Sequence, residues 1–240
     1  MDHHVPVTRP PVLDDTDALE RALELAERGR RTLLGITGPP GSGKSTYAAR
    51  LVDVLRARGV GVALVPMDGF HLAHDVLTSS GEVAVKGAPH TFDAAGYVHL
   101  LGRLRTPDRE TVWAPRFDRD LEDAIAGSIG VGPEVSLVVT EGNYLLLETG
   151  AWSRVRELLD ACWYLDVPDD VRRSRLAARH QAHGRSAAEA WERTLGSDEA
   201  NARVITETRS RADAVVTARA SARAVRGAGE PSSEDPATRH

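Results

Sequence analysis

Eight consecutive residues, Gly38-Pro39-Pro40-Gly41-Ser42-Gly43-Lys44-Ser45, match the pattern G-x-x-x-x-G-K-S/T in full. Each fixed position answers a need of a triphosphate. Several N–H donors have to point at one centre, and glycines let the backbone wrap that closely. A helix opening near Lys44 adds the partial positive charge of its N-terminus. Lys44 brings a full charge to the β- and γ-phosphates, and the Ser45 hydroxyl is of the type that ligates Mg²⁺. The competing reading is a Gly-rich turn with no ligand. The context argues against it: the apolar run Leu33-Leu34-Gly35-Ile36-Thr37 precedes the loop and a helical pattern follows, which is the strand–loop–helix setting the motif requires.

Four other groups of residues could act on a bound nucleotide or on its acceptor. Val62 to Met67 leads into Asp68-Gly69-Phe70-His71. Ligands of open parallel sheets sit outside the carboxyl ends of the strands, and Asp68 is expected at that edge, beside the strand that carries the phosphate loop. A carboxylate there orients an alcohol and takes its proton, or else caps the next helix. His71 reads as a substrate contact or a polar wall. The β-branched run Val135 to Val139 delivers Glu141 to the same edge, either as a hard oxygen ligand for Mg²⁺ or as a turn residue. Arg172, Arg173, Arg175, Arg179 and Arg185 form the one dense cationic run. Arg175 and Arg179 are four apart and share a helix face, from which a guanidinium could close over a transferring phosphoryl group. The alternative is a solvated face paired with Glu189, Glu192, Asp198 and Glu199. Pro115-Arg116-Phe117-Asp118-Arg119 could hold a polyol or ribose, or could be a surface ion-pair hairpin.

Regular elements have to position these residues. Apolar runs predict strands at Leu33–Thr37, Val60–Val65, Val135–Thr140, Cys162–Val167 and Ala214–Thr217, with helical patterns between them. Asp14, Asp15 or Thr16 caps a first helix with Leu19, Leu23 and Ala26 on one face. Further helices follow from Ser45 to Arg58 and from Asp93 to Leu104. Alternation of strand and helix implies an α/β fold with a parallel central sheet covered on both faces. The expected organisation is an N-terminal arm over 1–17, a domain over 18–219 with a helical lid at about 169–205, and a disordered tail over 220–240.

The whole chain sets the outer bounds. It has 240 residues, 41% of them apolar and 27% charged, with a formal net charge of -5. That balance argues against a nucleic-acid partner. The single cysteine, Cys162, excludes an intrachain disulfide and fits a reducing cytoplasm. No run approaches the roughly 18 apolar residues of a membrane span, and the N-terminus lacks the regions of a signal peptide.

Five segments occur in order: Gly38 to Thr46, Met67 to His71, Lys86-Gly87-Ala88-Pro89-His90-Thr91-Phe92-Asp93, Pro115 to Arg119, and Val139-Thr140-Glu141-Gly142-Asn143-Tyr144. Together they resemble the uridine kinase / phosphoribulokinase / pantothenate kinase superfamily of P-loop kinases over about residues 20 to 218. The nearest branch is the bacterial nucleoside/nucleotide kinase-like proteins, some of which carry a fructose kinase name. The resemblance implies a P-loop NTPase three-layer sandwich that uses ATP and Mg²⁺. It assigns the nucleotide to Gly38, Pro39, Pro40, Gly41, Ser42, Gly43, Lys44, Ser45 and Thr46, and the metal to Ser45 and Glu141. Asp68, Lys44, Arg175 and Arg179 become the catalytic candidates. Asp68, His71, Lys86, Arg116, Phe117 and Asp118 become the acceptor pocket. The implied acceptor is a small-molecule alcohol: a sugar such as fructose, a nucleoside or a pantothenate-like compound. Gly69 and His71 replace the Ser and Tyr usual in uridine kinases. Pantothenate kinases share Asp-Gly-Phe but are usually longer. An NTP hydrolase and a non-catalytic nucleotide-binding regulator remain alternatives, and the resemblance leaves room for a homodimer.

Overall fold

The computed structural model describes residues 9–106 and 109–217. Val12–Leu13 form strand β1 and Asp15–Ala26 helix α1. Asp14 starts this helix: its carboxylate accepts from the amides of Thr16 at 2.8 Å and Asp17 at 3.0 Å, and Asp17 accepts from the Asp14 amide in return. The fully buried face is Ala18, Ala22 and Leu25, while the expected Leu19, Leu23 and Ala26 flank it half-buried. The boundary expected after residue 17 falls inside α1, since residues 12–13 are already a sheet strand and α1 begins at Asp15. The expected tail lies outside the described residues.

The chain continues through β2 (Thr32–Thr37), α2 (Lys44–Ala57) and β3 (Val62–Pro66) into a 3₁₀ turn, Met67–Phe70. Helices α3 (His74–Ser80) and α4 (Ala94–Arg105) lead to a hairpin of β4 (Val112–Asp118) and β5 (Asp123–Val131). Then come β6 (Leu137–Glu141), α5 (Val155–Leu158) and β7 (Ala161–Asp166). The lid is α6 (Asp169–Ala182), α7 (Ala187–Arg193), a π turn at Thr194–Asp198 and α8 (Glu199–Glu207), after which β8 (Ala214–Thr217) returns to the sheet.

Six strands form one parallel sheet in the order β1-β8-β7-β2-β6-β3. Side chains alternate across it with period two. Leu34, Ile36, Leu137, Val139, Trp163, Leu165 and Val216 pack on α1 and α2. Leu33, Val65, Val138, Cys162, Tyr164 and Val215 pack on the opposite side with α4 and α5. Burial on both faces is why the strands read as unbroken apolar runs. The layers are helix, sheet, helix. No helix among the described residues is long and apolar enough to cross a membrane.

Two features depart from the expectation. β3 does not lie beside β2, because β6 inserts between them. Glu141 is thus on the strand next to the phosphate loop, and Asp68 is one strand further out. The hairpin β4–β5 forms its own two-stranded sheet beside the main one. Its ladder shifts register between Ala114 and Arg116, where Pro115 has no N–H to offer.

Candidate active site

Helix α2 opens without a side-chain cap, on Gly43 at φ +90°. Its first amides are left for an anion. Gly41 sits at φ +80°, and a Cβ there would lie 2.4 Å from the Arg172 carbonyl oxygen and 2.8 Å from Leu176 Cγ. The lid helix α6 thus rests on the loop, and only glycine fits both the conformation and the contact. Lys44 is buried, with Nζ donating to the Pro39 carbonyl at 3.1 Å. Burial lowers its pKa, opposed by the charges of Glu141 and Asp68. Gly38, Pro39 and Pro40 are buried, whereas Ser45 and Thr46 are exposed, and of these two only Ser45 lines the cleft. The Ser42 hydroxyl is buried with no hydrogen-bond partner.

Parallel pairing brings the acids alongside. Glu141 is in register with Ile36 of β2 on one side and Pro66 of β3 on the other. Ser45 Oγ donates to Glu141 Oε1 at 2.9 Å. Burial raises the pKa of Glu141, with Asp68 adding to the effect and Lys44, Ser45 and Arg119 resisting it. Asp68 follows two residues after Pro66 and lines the same cleft of about 200 Å³ as Lys44, Ser45 and Glu141. Its carbonyl accepts from the His71 amide at 3.2 Å and from His71 Nδ1 at 2.7 Å. A carbonyl only accepts, so the proton is on Nδ1 and Nε2 is left as an acceptor. The imidazole lies between the rings of Phe92 at 4.0 Å and Phe117 at 4.7 Å, and burial lowers its pKa.

Of the residues expected on the acceptor side, Asp68, His71, Lys86 and Phe117 line the cleft. Lys86 Nζ stands 5.1 Å over the Phe117 ring. Arg116 and Asp118 do not line it. Strand alternation points them away from Phe117's side, the Arg116 side chain is 60% exposed, and the pair stands 3.8 Å apart. Asp118 instead caps the hairpin turn, accepting from the amides of Asp120 and Leu121. Arg119 and Glu122 from that turn take their place in the cleft.

The arginine run divides by function of place. Arg172 is buried against Asp169 and Glu199, both at 2.6 Å, and Arg173 meets Glu199 at 2.7 Å. Arg175 Nη1 donates to the Ser42 carbonyl at 3.2 Å, bracing the outside of the loop. Arg179, on the same helix face, lines the cleft. Sequence reasoning missed Arg193, Asp198 and Asn201, which also line it. Asn201 Nδ2 donates to the Gly87 carbonyl at 3.4 Å, and Tyr144 Oη donates to the same oxygen at 2.5 Å.

A glycine-rich phosphate loop at the point where β2's neighbours diverge, facing acids on β6 and β3 and roofed by a helical lid, defines the P-loop kinase fold class. A family model described as "Methylmalonyl Co-A mutase-associated GTPase MeaB" matches residues 9–71, the segment from β1 to His71. A protein of Schizosaccharomyces pombe named "Putative uridine kinase C227.14" is 36% identical over 203 residues, 81% of this chain and 86% of that one. An "ATP-dependent kinase-like protein notR'" of Aspergillus versicolor is 34% identical over 152 residues, 60% of this chain and 88% of that one. The crystal structure of a "putative fructose transport system kinase" from Silicibacter sp. TM1040 superposes with a TM-score of 0.75 at 39% identity, covering 82% of this chain and 97% of that one. The chain belongs to the family of uridine kinase-like P-loop kinases. The names of these relatives agree on a kinase and differ on what it phosphorylates.

Proposed function

We propose that the protein transfers the γ-phosphoryl group of ATP to a hydroxyl of a small metabolite, such as a sugar, a nucleoside or a pantothenate-like alcohol. The observation that carries this reading is the meeting of Lys44 and Ser45, Glu141 and Asp68 in one cleft, each delivered by the carboxyl end of a different parallel strand. The amides of the Gly38–Ser45 loop and Lys44 hold the phosphates. Asp68 aligns the acceptor hydroxyl. As its oxygen bonds to the γ-phosphorus and the bond to the β–γ bridging oxygen breaks, the hydroxyl proton passes to the Asp68 carboxylate and ADP leaves. His71 Nε2 can accept a second hydrogen bond from the acceptor. Arg179 faces the equatorial oxygens, where charge develops.

The Ser45 hydroxyl and Glu141 carboxylate, 2.9 Å apart, are the hard oxygen donors that suit Mg²⁺. Among the described residues no group of three or more His, Cys, Asp or Glu side chains could hold a metal. That fits an ion bound by one or two protein oxygens together with substrate phosphates. When bound, Mg²⁺ neutralises charge on the β- and γ-phosphates.

The test is ADP release from purified protein over a panel of sugars, nucleosides and vitamin alcohols, with Lys44→Ala and Asp68→Asn as controls. The proposal expects release that depends on one class of alcohol and is lost in both variants. ADP release indifferent to every alcohol would make the protein a hydrolase. ATP binding without turnover, unchanged by Asp68→Asn, would make it a nucleotide-binding regulator.

A further inference from the structure

Beyond the cleft that holds Lys44, Asp68 and Glu141 lies a second cavity of about 520 Å³. The two share a wall, since Lys86, Arg119, Glu122, Arg179 and Arg193 line both. Arg185 adds another cation on the far side, and Glu122 is the one carboxylate lining the second cavity. Five permanent cations thus face a single acid, in a chain whose formal net charge is -5.

These cations are not a local run of sequence. Lys86 comes from the loop before α4, Arg119 from the hairpin turn, Arg179 from α6, Arg185 from the turn after it, and Arg193 from the end of α7. The fold has collected them from separate elements. Elsewhere the protein pairs its arginines: Arg30 with Asp160, Arg156 with Asp213, Arg172 with Glu199, Arg209 with Asp166. Arg119, Arg179 and Arg193 have no carboxylate within ion-pair distance among the described residues. Asp198, the nearest candidate on the lid, is engaged by His180 at 2.7 Å. Burial lowers the pKa of Arg179, Asp198 and Asp68 oppose it, and the like charges of Arg119 and Arg193 add to the lowering. The γ-phosphate already has Lys44, the loop amides and Arg179, so it does not account for the remaining cations of a chamber that no residue of the loop lines.

We infer that the acceptor alcohol carries an acid group of its own, a phosphate monoester or a carboxylate, which seats among Lys86, Arg119 and Arg193 while the hydroxyl faces Asp68. The planar guanidinium fork suits both acids. The inference rests on the kinase reading and narrows it, from any small alcohol to anionic ones.

Matched acceptors test it: fructose against fructose 1-phosphate, glycerol against glycerate, pantothenol against pantothenate, each with full-length protein and MgATP. For the pair that is used, kcat/KM of the acid member is expected to exceed that of the neutral one by on the order of ten- to a hundredfold, the worth of one or two charge-assisted hydrogen bonds. Arg119→Gln and Arg193→Gln should raise KM for the acid member and leave KM for ATP unchanged. Equal or better use of neutral members overturns the inference and leaves the kinase standing. If no alcohol is phosphorylated, the kinase reading fails, and binding decides the site alone. With the non-hydrolysable Mg·AMP-PNP filling the nucleotide site, glycerol 3-phosphate should raise the thermal midpoint and glycerol should not. No shift, or a shift kept in both variants, overturns the anion site.

Discussion

Replacing Gly69 with alanine should disable the acceptor side of the site while leaving the nucleotide side intact. A Cβ at residue 69 would lie 2.4 Å from the Pro115 carbonyl oxygen, 2.8 Å from its carbon and 3.2 Å from the Arg116 amide nitrogen, all main-chain atoms. Ordinary contact begins near 3.4 Å, so the hairpin backbone has to withdraw by about 1 Å. The base of the hairpin, Val112, Ala114 and Val131, is anchored in the core, so its outer end, which carries Phe117 and the turn, takes up the tilt. A stability loss of about 1–3 kcal/mol is expected from such overpacking. The same tilt lifts Phe117 from His71, 4.7 Å away, and carries Arg119 and Glu122 out of the cleft. A misplacement of about 1 Å can lower turnover by about a hundredfold. The P-loop is built on β2 and α2, and the nearest atoms to a Cβ at residue 69 belong to the hairpin instead. Steady-state ADP-coupled kinetics should therefore show kcat/KM for the acceptor down by about a hundredfold. KM for ATP and calorimetric affinity for Mg·ADP should stay unchanged, and a circular-dichroism melt confirms the fold. Unaltered acceptor kinetics in a folded variant, or an equal loss of ADP affinity, would refute the idea that this turn sets the hairpin.

Other perturbations separate the roles of the lid residues. Arg172→Ala removes a buried guanidinium from Asp169 and Glu199, leaves Glu199 to Arg173 alone, and should lower the urea midpoint by the equivalent of about 1.5–3 kcal/mol. Arg173, together with Arg172, holds the Glu199 carboxyl at about 2, below its ordinary 4.5, against the opposing effect of burial. A depressed carboxylate stabilises the fold fully above its unfolded pKa and less as pH falls through the folded one. Stability should thus decline between about pH 4.5 and 2, and Glu199→Gln should remove that part of the urea-midpoint curve. Arg179→Ala should lower kcat by about a thousandfold with little change in melting temperature, since its side chain is a cleft-facing phosphate contact in this reading. Arg116→Ala, on the outer face of the hairpin, should leave both kcat and KM unchanged.

The parts of the fold legible in the sequence are those with a local signal. β2, the phosphate loop and α2 follow from an apolar run, a glycine pattern and a helical period in direct succession. β6, β7 and β8 read as apolar runs because both faces are buried. The hairpin carried no such signal: Pro115, Gly127 and Gly130 interrupt its alternation, and much of β5 faces solvent. β1 is two residues long and exists only through its pairing with β8. The insertion of β6 between β2 and β3 is a long-range pairing, and no local pattern encodes it. The site divides the same way. Lys44, Ser45, Asp68 and Glu141 each end a recognisable strand or begin the loop helix. Arg116 and Asp118 were expected in the pocket because the resemblance places the acceptor at the segment Pro115 to Arg119. Had the segment been read as a strand, alternation alone would have sent them to the opposite face. Arg193 and Asn201 reach the cleft only through the folding back of α7 and α8, which composition does not foretell.

The match to a GTPase family model stops at His71. What it shares is β1 through the 3₁₀ turn, which holds the phosphate loop, Lys44 and Asp68. That equipment grips a nucleotide, and hydrolases and kinases need it alike. Whatever decides between water and an alcohol as the attacking group has to come from later residues. In the proposed reading those residues are Phe92 and Phe117 packed against His71, the Arg119–Glu122 turn, and a lid whose α6 leaves no room for a methyl group on Gly41. A hydrolase gains nothing from aromatic walls around its acceptor position, because water has no carbon skeleton to pack against them. A kinase gains twice, since the walls hold the alcohol and their closure shuts out the competing solvent. The physical difference between the two chemistries therefore lies in the hairpin and the lid, in residues that a search confined to the phosphate loop would never weigh.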